Sequence, residues 1–136
     1  DDGLALHYYA EGALHGDAQS LYTLGMRYLG GNGVRRDAAM AAKMLAAAAD
    51  LGSNEAQYEL GGMHCDGTGV QRDPFKAARY FATSATSWNS AAIFRLGMLY
   101  LRGEGVPGDE RKGRGLIKLA AELGDPDAVT MASTLD

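Results

Sequence analysis

The stretch Gly67-Thr68-Gly69-Val70-Gln71-Arg72-Asp73 decides the fold, because related copies flank it at a spacing of 36 residues on each side. The other copies of its first four residues are Gly31-Asn32-Gly33-Val34 and Gly103-Glu104-Gly105-Val106. Other residues keep the same spacing, namely Asp37, Asp73 and Asp109 after each loop and Leu24-Gly25, Leu60-Gly61 and Leu96-Gly97 before it. A fixed period of this length is typical of a solenoid of stacked units.

Each unit reads as helix, loop and helix. In the first unit, Asp17 is a good N-cap for a helix over about residues 18–29, which the Gly-x-Gly loop ends. Asp37 caps a second helix, which Gly52 stops. The positions equivalent to Asp17 are also capping residues: Ser53, Asn89 and Asp125. The pattern therefore predicts an all-α protein, an α/α solenoid of helix-turn-helix repeats with about eight helices and no strands.

The repeats divide the chain evenly. We expect a single domain over residues 1–136, made of a half repeat at 1–16, full repeats at 17–52, 53–88 and 89–124, and a half repeat at 125–136. Gly25, Gly61 and Gly97 fall inside the first helix of their repeats, where glycine costs about 1 kcal/mol relative to alanine. We interpret them as points where two helices approach too closely for a Cβ atom.

These residues resemble the Sel1-like repeat, a relative of the tetratricopeptide repeat. The second unit carries the resemblance through Ala56, Leu60, Gly61, Gly67, Gly69, Val70, Asp73 and Lys76. The resemblance implies a right-handed superhelix with the first helix of each pair on the concave side, and an adaptor that assembles other proteins. It also slightly favours an extracytoplasmic location, in a bacterial periplasm or secreted. Two departures are His64, where the family has Tyr, and Trp88, where it has a terminating Gly.

Composition and motifs weigh against several classes of function. The net charge of -4 is not that of a protein that binds nucleic-acid phosphates, which needs a clustered basic surface. The Gly-x-Gly loops lack the preceding strand and the Lys and Ser or Thr of a phosphate-binding loop. No apolar run is long enough to cross a bilayer. We therefore expect no cofactor, no nucleic acid and no membrane insertion in this segment.

One helix face offers an alternative reading as a metal site. His7, Glu11 and His15 lie four residues apart, so that three potential zinc ligands share one side of a helix. Such spacing is also common on a solvated face. His64 and Cys65 are adjacent and point to different sides, so we interpret His64 as a packed histidine and Cys65 as a small buried residue. A metal-binding or enzymatic protein that uses His7, Glu11 and His15 remains an alternative, but we expect no enzyme.

Protein binding is the function that we expect. If the first helices line a groove, their uncommitted side chains include Gln19, Thr23, Met26, Arg27, Glu55, Glu59, Met63, Asp66, Arg95, Met98, Leu99 and Arg102. This groove would be acidic in the middle and basic with apolar patches towards the C-terminal end. Trp88 and Tyr100 are candidate aromatic anchors, because aromatic residues dominate many interfaces. Packing between repeats is an equally good interpretation of Trp88.

Self-association is a third possibility. The terminal half repeats leave helix faces that a neighbouring repeat would otherwise cover, and repeat proteins normally protect such faces with polar residues. The first half repeat is instead rather apolar, with Leu4, Leu6, Tyr8 and Tyr9. Either further repeats or a partner would cover this face.

Overall fold

A computed structural model describes residues 7, 10–12 and 14–135 of the protein. The described residues form helices and connecting turns, with no strand among them. The helices are α1 (Ala18–Gly30), α2 (Ala38–Asp50), α3 (Asn54–Asp66), α4 (Pro74–Ala85), α5 (Ser90–Arg102), α6 (Glu110–Glu122) and α7 (Pro126–Ala132). Residues 7, 10–12 and 14 are helical as well and precede α1. The predicted fold class, an all-α helix-pair solenoid, is therefore confirmed.

The chain forms two compact units. The first, Asp1–Arg72, contains α1, α2 and α3, and the second, Asp73–Asp136, contains α4 to α7. Within each unit every helix packs against the next helix along the chain. Successive helices thereby bury the apolar faces that one helix pair could not bury alone.

Capping residues set where the helices begin. The backbone amide of Gln19 donates to the Asp17 carboxylate at 3.0 Å, and the amide of Lys76 donates to Asp73 at 3.1 Å. The other helices begin in the same way, after Asp37, Ser53, Asn89, Asp109 and Asp125. These bonds satisfy amides that have no partner within the helix, which confirms the predicted N-caps.

The two glycines of each loop have different tasks. The first one, as in Gly67, ends the first helix of the repeat in the left-handed conformation, with φ of 73°. In the second and third repeats, the second glycine touches the preceding repeat. A Cβ atom on Gly69 would overlap the backbone carbonyl of Ala38 at the start of α2, and one on Gly105 would overlap that of Pro74 at the start of α4. Only glycine lets the loop lie this close to the neighbouring backbone.

Glycines inside the helices mark tight packing, as predicted for Gly25 and Gly97. A Cβ atom on Gly25 would lie 2.9 Å from Cγ of Leu45, and one on Gly97 would lie 2.9 Å from Cγ1 of Ile117. Leu45 and Ile117 are fully buried. Small side chains complete these contacts, and the fully buried ones are Ala41, Ala48, Ala56, Ala77, Ser84, Ala92, Ala120 and Ala128. The first helix of each pair thus packs its small residues and several large ones, among them Leu24, Leu60 and Leu96, against the core.

Candidate functional site

One face of α5 presents two arginines and a methionine. Ala91, Arg95, Met98 and Arg102 follow at intervals of four, three and four residues, which places them on one side of the helix. None of the four is buried, whereas the opposite side of α5 lies in the core of the second unit. We call these four residues the α5 face. Three of the sequence-predicted binding residues, Arg95, Met98 and Arg102, therefore do share a surface.

The side chain of Arg95 is held in place by a buried aromatic ring. Its guanidinium carbon lies 5.1 Å from the centroid of the Phe81 ring, and Phe81 of α4 is fully buried. A guanidinium at this distance is attracted by the negative face of the ring. Arg95 is half-buried, so its stem packs against protein while its charge stays at the α5 face.

The methionine of the α5 face is anchored in the core of the second unit. Met98 is half-buried and packs against the cluster of Ile93, Ile117, Ala120 and Ala128. Its unbranched thioether leaves an adaptable apolar contact between the two arginines. Arg102 ends the face and is exposed in the last turn of α5.

The corresponding face of α3, in the first unit, is acidic. Glu55, Glu59, Gly62 and Asp66 occupy the same spacing, and α3 contains no lysine or arginine. Gly62 has open space where its Cβ atom would be, so it is not required for helix packing. We call these four residues the α3 face. Glu55 and Asp66 are exposed, and Glu59 is half-buried.

The negative charges of the α3 face influence the pKa of Tyr22 in α1. Its pKa is raised above the usual value of 10.0 by partial burial first, and then by the negative charges of Glu59 and Glu55. The phenol therefore stays neutral to a higher pH than an exposed tyrosine does. The carboxylates of the α3 face thus act on a side chain of α1 within the first unit.

Two predicted groove residues belong instead to the core. Met63 and Leu99 are each 4% exposed, which corrects their placement among the groove side chains. Both occupy the same repeat position, at the edge of the outward stripe, and the buried arc of the helix is wide enough to include it. Arg27 holds this position in the first repeat and is half-buried, with Nη1 donating to the carbonyl oxygen of Asn32 at 3.4 Å.

The two aromatic candidates lie in different surroundings. Trp88 is 66% exposed and has a φ of 60°, a left-handed conformation that glycine adopts at the equivalent positions Gly52 and Gly124. Tyr100 is half-buried and faces the region between α4 and α5, with Nζ of Lys112 lying 4.7 Å from its ring centroid. Tyr100 is therefore not part of the α5 face.

His7 and Glu11 lie on a helix and His15 in the turn that follows, and both imidazoles come close to the Glu11 carboxylate. Nε2 of His7 lies 4.0 Å from one carboxylate oxygen of Glu11, and Nε2 of His15 lies 3.9 Å from the other. Among residues 7, 10–12 and 14–135, no group of three or more His, Cys, Asp or Glu side chains is arranged to hold a metal ion. The apolar residues Leu4, Leu6, Tyr8 and Tyr9, on which the self-association hypothesis rests, lie outside the described residues.

His64 and Cys65 have separate environments. His64 is buried, with Nδ1 at 3.4 Å from the carbonyl oxygen of Gln71, so the predicted packed histidine is confirmed. Cys65 is only half-buried, which corrects the prediction of a buried thiol. Its carbonyl oxygen accepts from Nε of Arg72 at 3.1 Å. This hydrogen bond to the backbone of Cys65 thus helps to hold the loop after α3 in place.

The repeat pattern matches a family model over most of the chain. The model of the Sel1 repeat matches residues 1–17, 18–53, 54–87 and 90–125. The chain belongs to the Sel1 repeat family. Sel1 repeats are generally protein–protein interaction modules, and proteins of this fold are typically not enzymes. The family thus suggests a protein as the partner.

Solved structures with Sel1 repeats resemble this chain closely. A protective antigen present in uropathogenic Escherichia coli strains shares 31% identity over 94% of this chain, with a TM-score of 0.91. The chain spans 27% of the length of that antigen. A Sel1 repeat protein from Oxalobacter formigenes shares 29% identity, with 95% of this chain and 97% of that one covered and a TM-score of 0.85.

A more distant structure shares the fold. Cysteine-rich protein B of Helicobacter pylori is 22% identical, with 96% of this chain and 94% of that one covered and a TM-score of 0.73. Among curated proteins, none matches the sequence significantly. In the part of this Sel1 repeat chain that the structure describes, no helix is long and apolar enough to cross a membrane.

Phe75 is the exposed residue that the sequence analysis did not single out. It follows Pro74 in the first turn of α4 and is 70% exposed. The equivalent residues of the other repeats are Ala39 and Arg111. A large apolar side chain at a position that is small or charged in the other repeats is the signal that would have identified it.

Proposed function

We propose that this chain is a non-catalytic protein-interaction module that binds a partner peptide or domain through the outward faces of the first helices of its repeats. The observation that carries the proposal is the α5 face, where two arginines flank a methionine and none of the three side chains is fully buried. Arginine and methionine are enriched at protein interfaces, and charged residues are otherwise depleted at interface centres.

Pre-organisation supports the same proposal. The Phe81 ring restrains Arg95, and the core restrains Met98, so that a partner loses less conformational entropy in ordering them. The α5 face fits a partner segment with carboxylates beside an apolar side chain. Salt bridges at such a face contribute specificity and a faster association rate more than affinity.

The α3 face suits a partner segment of opposite charge. Glu55, Glu59 and Asp66 would attract lysine or arginine, and the open position at Gly62 would let a partner backbone approach closely. A partner with one acidic, apolar segment and one basic segment would use both faces. Trp88 is a further candidate contact because it is an exposed aromatic side chain.

The proposal is tested by capturing partners from a lysate of the source organism with matched charge-reversal variants. The test variant is Arg95→Glu/Arg102→Glu. The control is Arg111→Glu/Lys118→Glu, which reverses two exposed cations of α6 at the same spacing. We expect a partner that binds the unmodified chain and the control but not the test variant, with all three chains showing the same helical content by circular dichroism.

A third variant separates charge from geometry. Arg95→Lys/Arg102→Lys keeps both charges but removes the planar guanidinium, so we expect weakened rather than abolished capture. Equal capture by every variant would contradict the α5 face as the binding surface. No captured protein at all would contradict the proposed function.

A further inference from the structure

A second surface of the C-terminal unit lies between α4 and α5. It is an open groove of about 250 Å³ whose walls include Phe75, Tyr100 and Val106. Ala78, Ala82, Leu96 and Arg79 also line it, and Ala78 and Leu96 are buried. For comparison, an apolar cavity of roughly 150 Å³ accommodates a benzene molecule. We call this surface the Phe75 groove.

The ends of the Phe75 groove are rigid. Asp73 caps α4 and Pro74 fixes its first turn, so the backbone that carries Phe75 is well defined. The loop at Gly105 lies directly against the carbonyl of Pro74. This contact holds Val106 opposite the start of α4. A preformed groove of this kind binds without a large ordering cost.

Exposed apolar surface at Phe75 is not explained by packing. The side chain is 70% exposed although it is among the largest apolar residues of the chain. Burying an aromatic ring of this size against a partner is favourable because it removes apolar surface from water. Exposed apolar side chains that border a groove with a polar rim are typical of interaction sites.

Cationic side chains line and border the groove. Arg79, which is exposed on α4, supplies the charge in its lining. Lys112 of α6 adds a further cation at the rim, where its Nζ lies over the Tyr100 ring. The aspartates that precede α4 and α6 accept hydrogen bonds from backbone amides at the helix N-termini, whose positive dipole ends offset their charge.

An apolar base with a cationic rim selects its occupant by chemistry. We propose that the Phe75 groove is a docking site for an acidic peptide segment that inserts one bulky apolar side chain between Phe75 and Tyr100. Arg79 and Lys112 bind the carboxylates on either side of the inserted residue. This site is separate from the α5 face, because Tyr100 and Leu96 point away from Ala91, Arg95, Met98 and Arg102.

The test uses the full chain and a short fluorescent peptide of glutamates around one central phenylalanine. Fluorescence anisotropy at about 0.15 M salt limits long-range charge effects to roughly 8 Å. We expect binding that weakens at least fivefold when alanine replaces the central phenylalanine of the peptide. The same peptide with lysines in place of glutamates should not bind.

Variants of the chain locate the site. Phe75→Ala and Arg79→Glu should each weaken binding by roughly fivefold to thirtyfold, the range of interface anchor residues. Their matched controls are Val129→Ala, an exposed apolar residue of α7, and Lys118→Glu, an exposed cation of α6. The controls and Arg95→Glu/Arg102→Glu should bind the peptide within about twofold of the unmodified chain.

Three results would overturn the proposal. One is binding that does not depend on the central phenylalanine, because the contact would then be charge alone. Another is binding that Phe75→Ala and Arg79→Glu leave unchanged. The third is tighter binding of a single-stranded oligonucleotide than of the peptide, with loss in Arg79→Glu, which would assign the basic rim to nucleic acid. Failure here leaves the lysate test of the α5 face intact, since the two tests change different residues.

Discussion

The guanidinium of Arg95 lies 5.1 Å above the ring of Phe81, and so couples an outward-facing charge to a fully buried side chain. We expect this pair to contribute about 0.5 to 2 kcal/mol to the free energy of unfolding. A double-mutant cycle of Arg95→Gln and Phe81→Leu, followed by urea unfolding, measures it. Additive effects of the two substitutions would mean that the contact contributes nothing.

The two glycines of one loop should respond differently to the same substitution. Gly67 and Gly69 both have a φ of 73°, so alanine at either position costs roughly 1 to 2 kcal/mol of backbone strain. Only at Gly69 would the new Cβ atom also overlap the carbonyl of Ala38. We expect Gly69→Ala to destabilise by about 2 to 5 kcal/mol and Gly67→Ala by markedly less in urea unfolding. Equal losses would contradict the seating of this loop on α2.

Glycines inside helices should divide into two classes. Gly62→Ala meets open space and should stabilise the chain by about 1 kcal/mol, because alanine is the better helix former. Gly25→Ala would place a Cβ atom 2.9 Å from Cγ of Leu45 and should destabilise it by about 1 to 3 kcal/mol. Thermal unfolding monitored by circular dichroism shows whether each substitution stabilises or destabilises the chain. Stabilisation by both substitutions would contradict the packing described for Gly25.

With Trp88, the folded chain should be less stable than it would be with glycine, the residue that the other repeats carry at this position. The φ of 60° at Trp88 costs a non-glycine residue roughly 1 to 2 kcal/mol, and the exposed indole recovers little of this by burial. We expect Trp88→Gly to stabilise the chain by about 0.5 to 1 kcal/mol after the greater flexibility of glycine in the unfolded state is included. Trp88→Ala, which keeps the strain, is the control.

The outcome at Trp88 also separates its two interpretations. Stabilisation by Trp88→Gly would favour a binding role, since a strained and exposed aromatic residue is then retained at the expense of stability. Marked destabilisation by both variants would instead indicate that the indole packs between repeats. Urea unfolding of the three chains side by side distinguishes these results.

Tyr22 should make the free energy of unfolding of the first unit depend on pH in the alkaline range. Its pKa is raised in the folded chain, so the unfolded chain releases the phenolic proton first, near its ordinary value of 10.0. The proton on Tyr22 contributes fully to the free energy of unfolding below that pH. This contribution is lost as the pH rises towards the pKa of Tyr22 in the folded chain. The free energy of unfolding should therefore fall more steeply above pH 10 for the unmodified chain than for Tyr22→Phe. Glu59→Gln should reduce this difference, and identical pH profiles would contradict it.

Local signals in the sequence predicted the helices well. Each N-cap residue and each terminating glycine acts within one turn of the chain, so its role can be read from its own position. The capping bonds of Asp17 and Asp73 and the left-handed glycine at Gly67 are examples. The close approach at Gly25 was predictable as well, because glycine inside a helix needs a packing reason.

The proposed binding faces were less predictable because exposure depends on neighbours that the sequence does not reveal. Met63 and Leu99 lie at the edge of the outward stripe, where a small difference in the width of the buried arc decides their burial. Tyr100 lines the same groove as Phe75 only because of the way α4 and α5 pack. The exposure of Phe75 has the same origin, since it depends on the position of the loop after α5.

The contacts of Gly69 and Gly105 both run from a loop to the repeat that precedes it in the chain. Each loop lies on the first turn of a helix that belongs to the preceding repeat, on Ala38 and on Pro74 respectively. During synthesis, the earlier repeat leaves the ribosome first. Because one repeat cannot bury its apolar face alone, the loop of each following repeat completes the packing of the one before it, so that the array is extended at its C-terminal end.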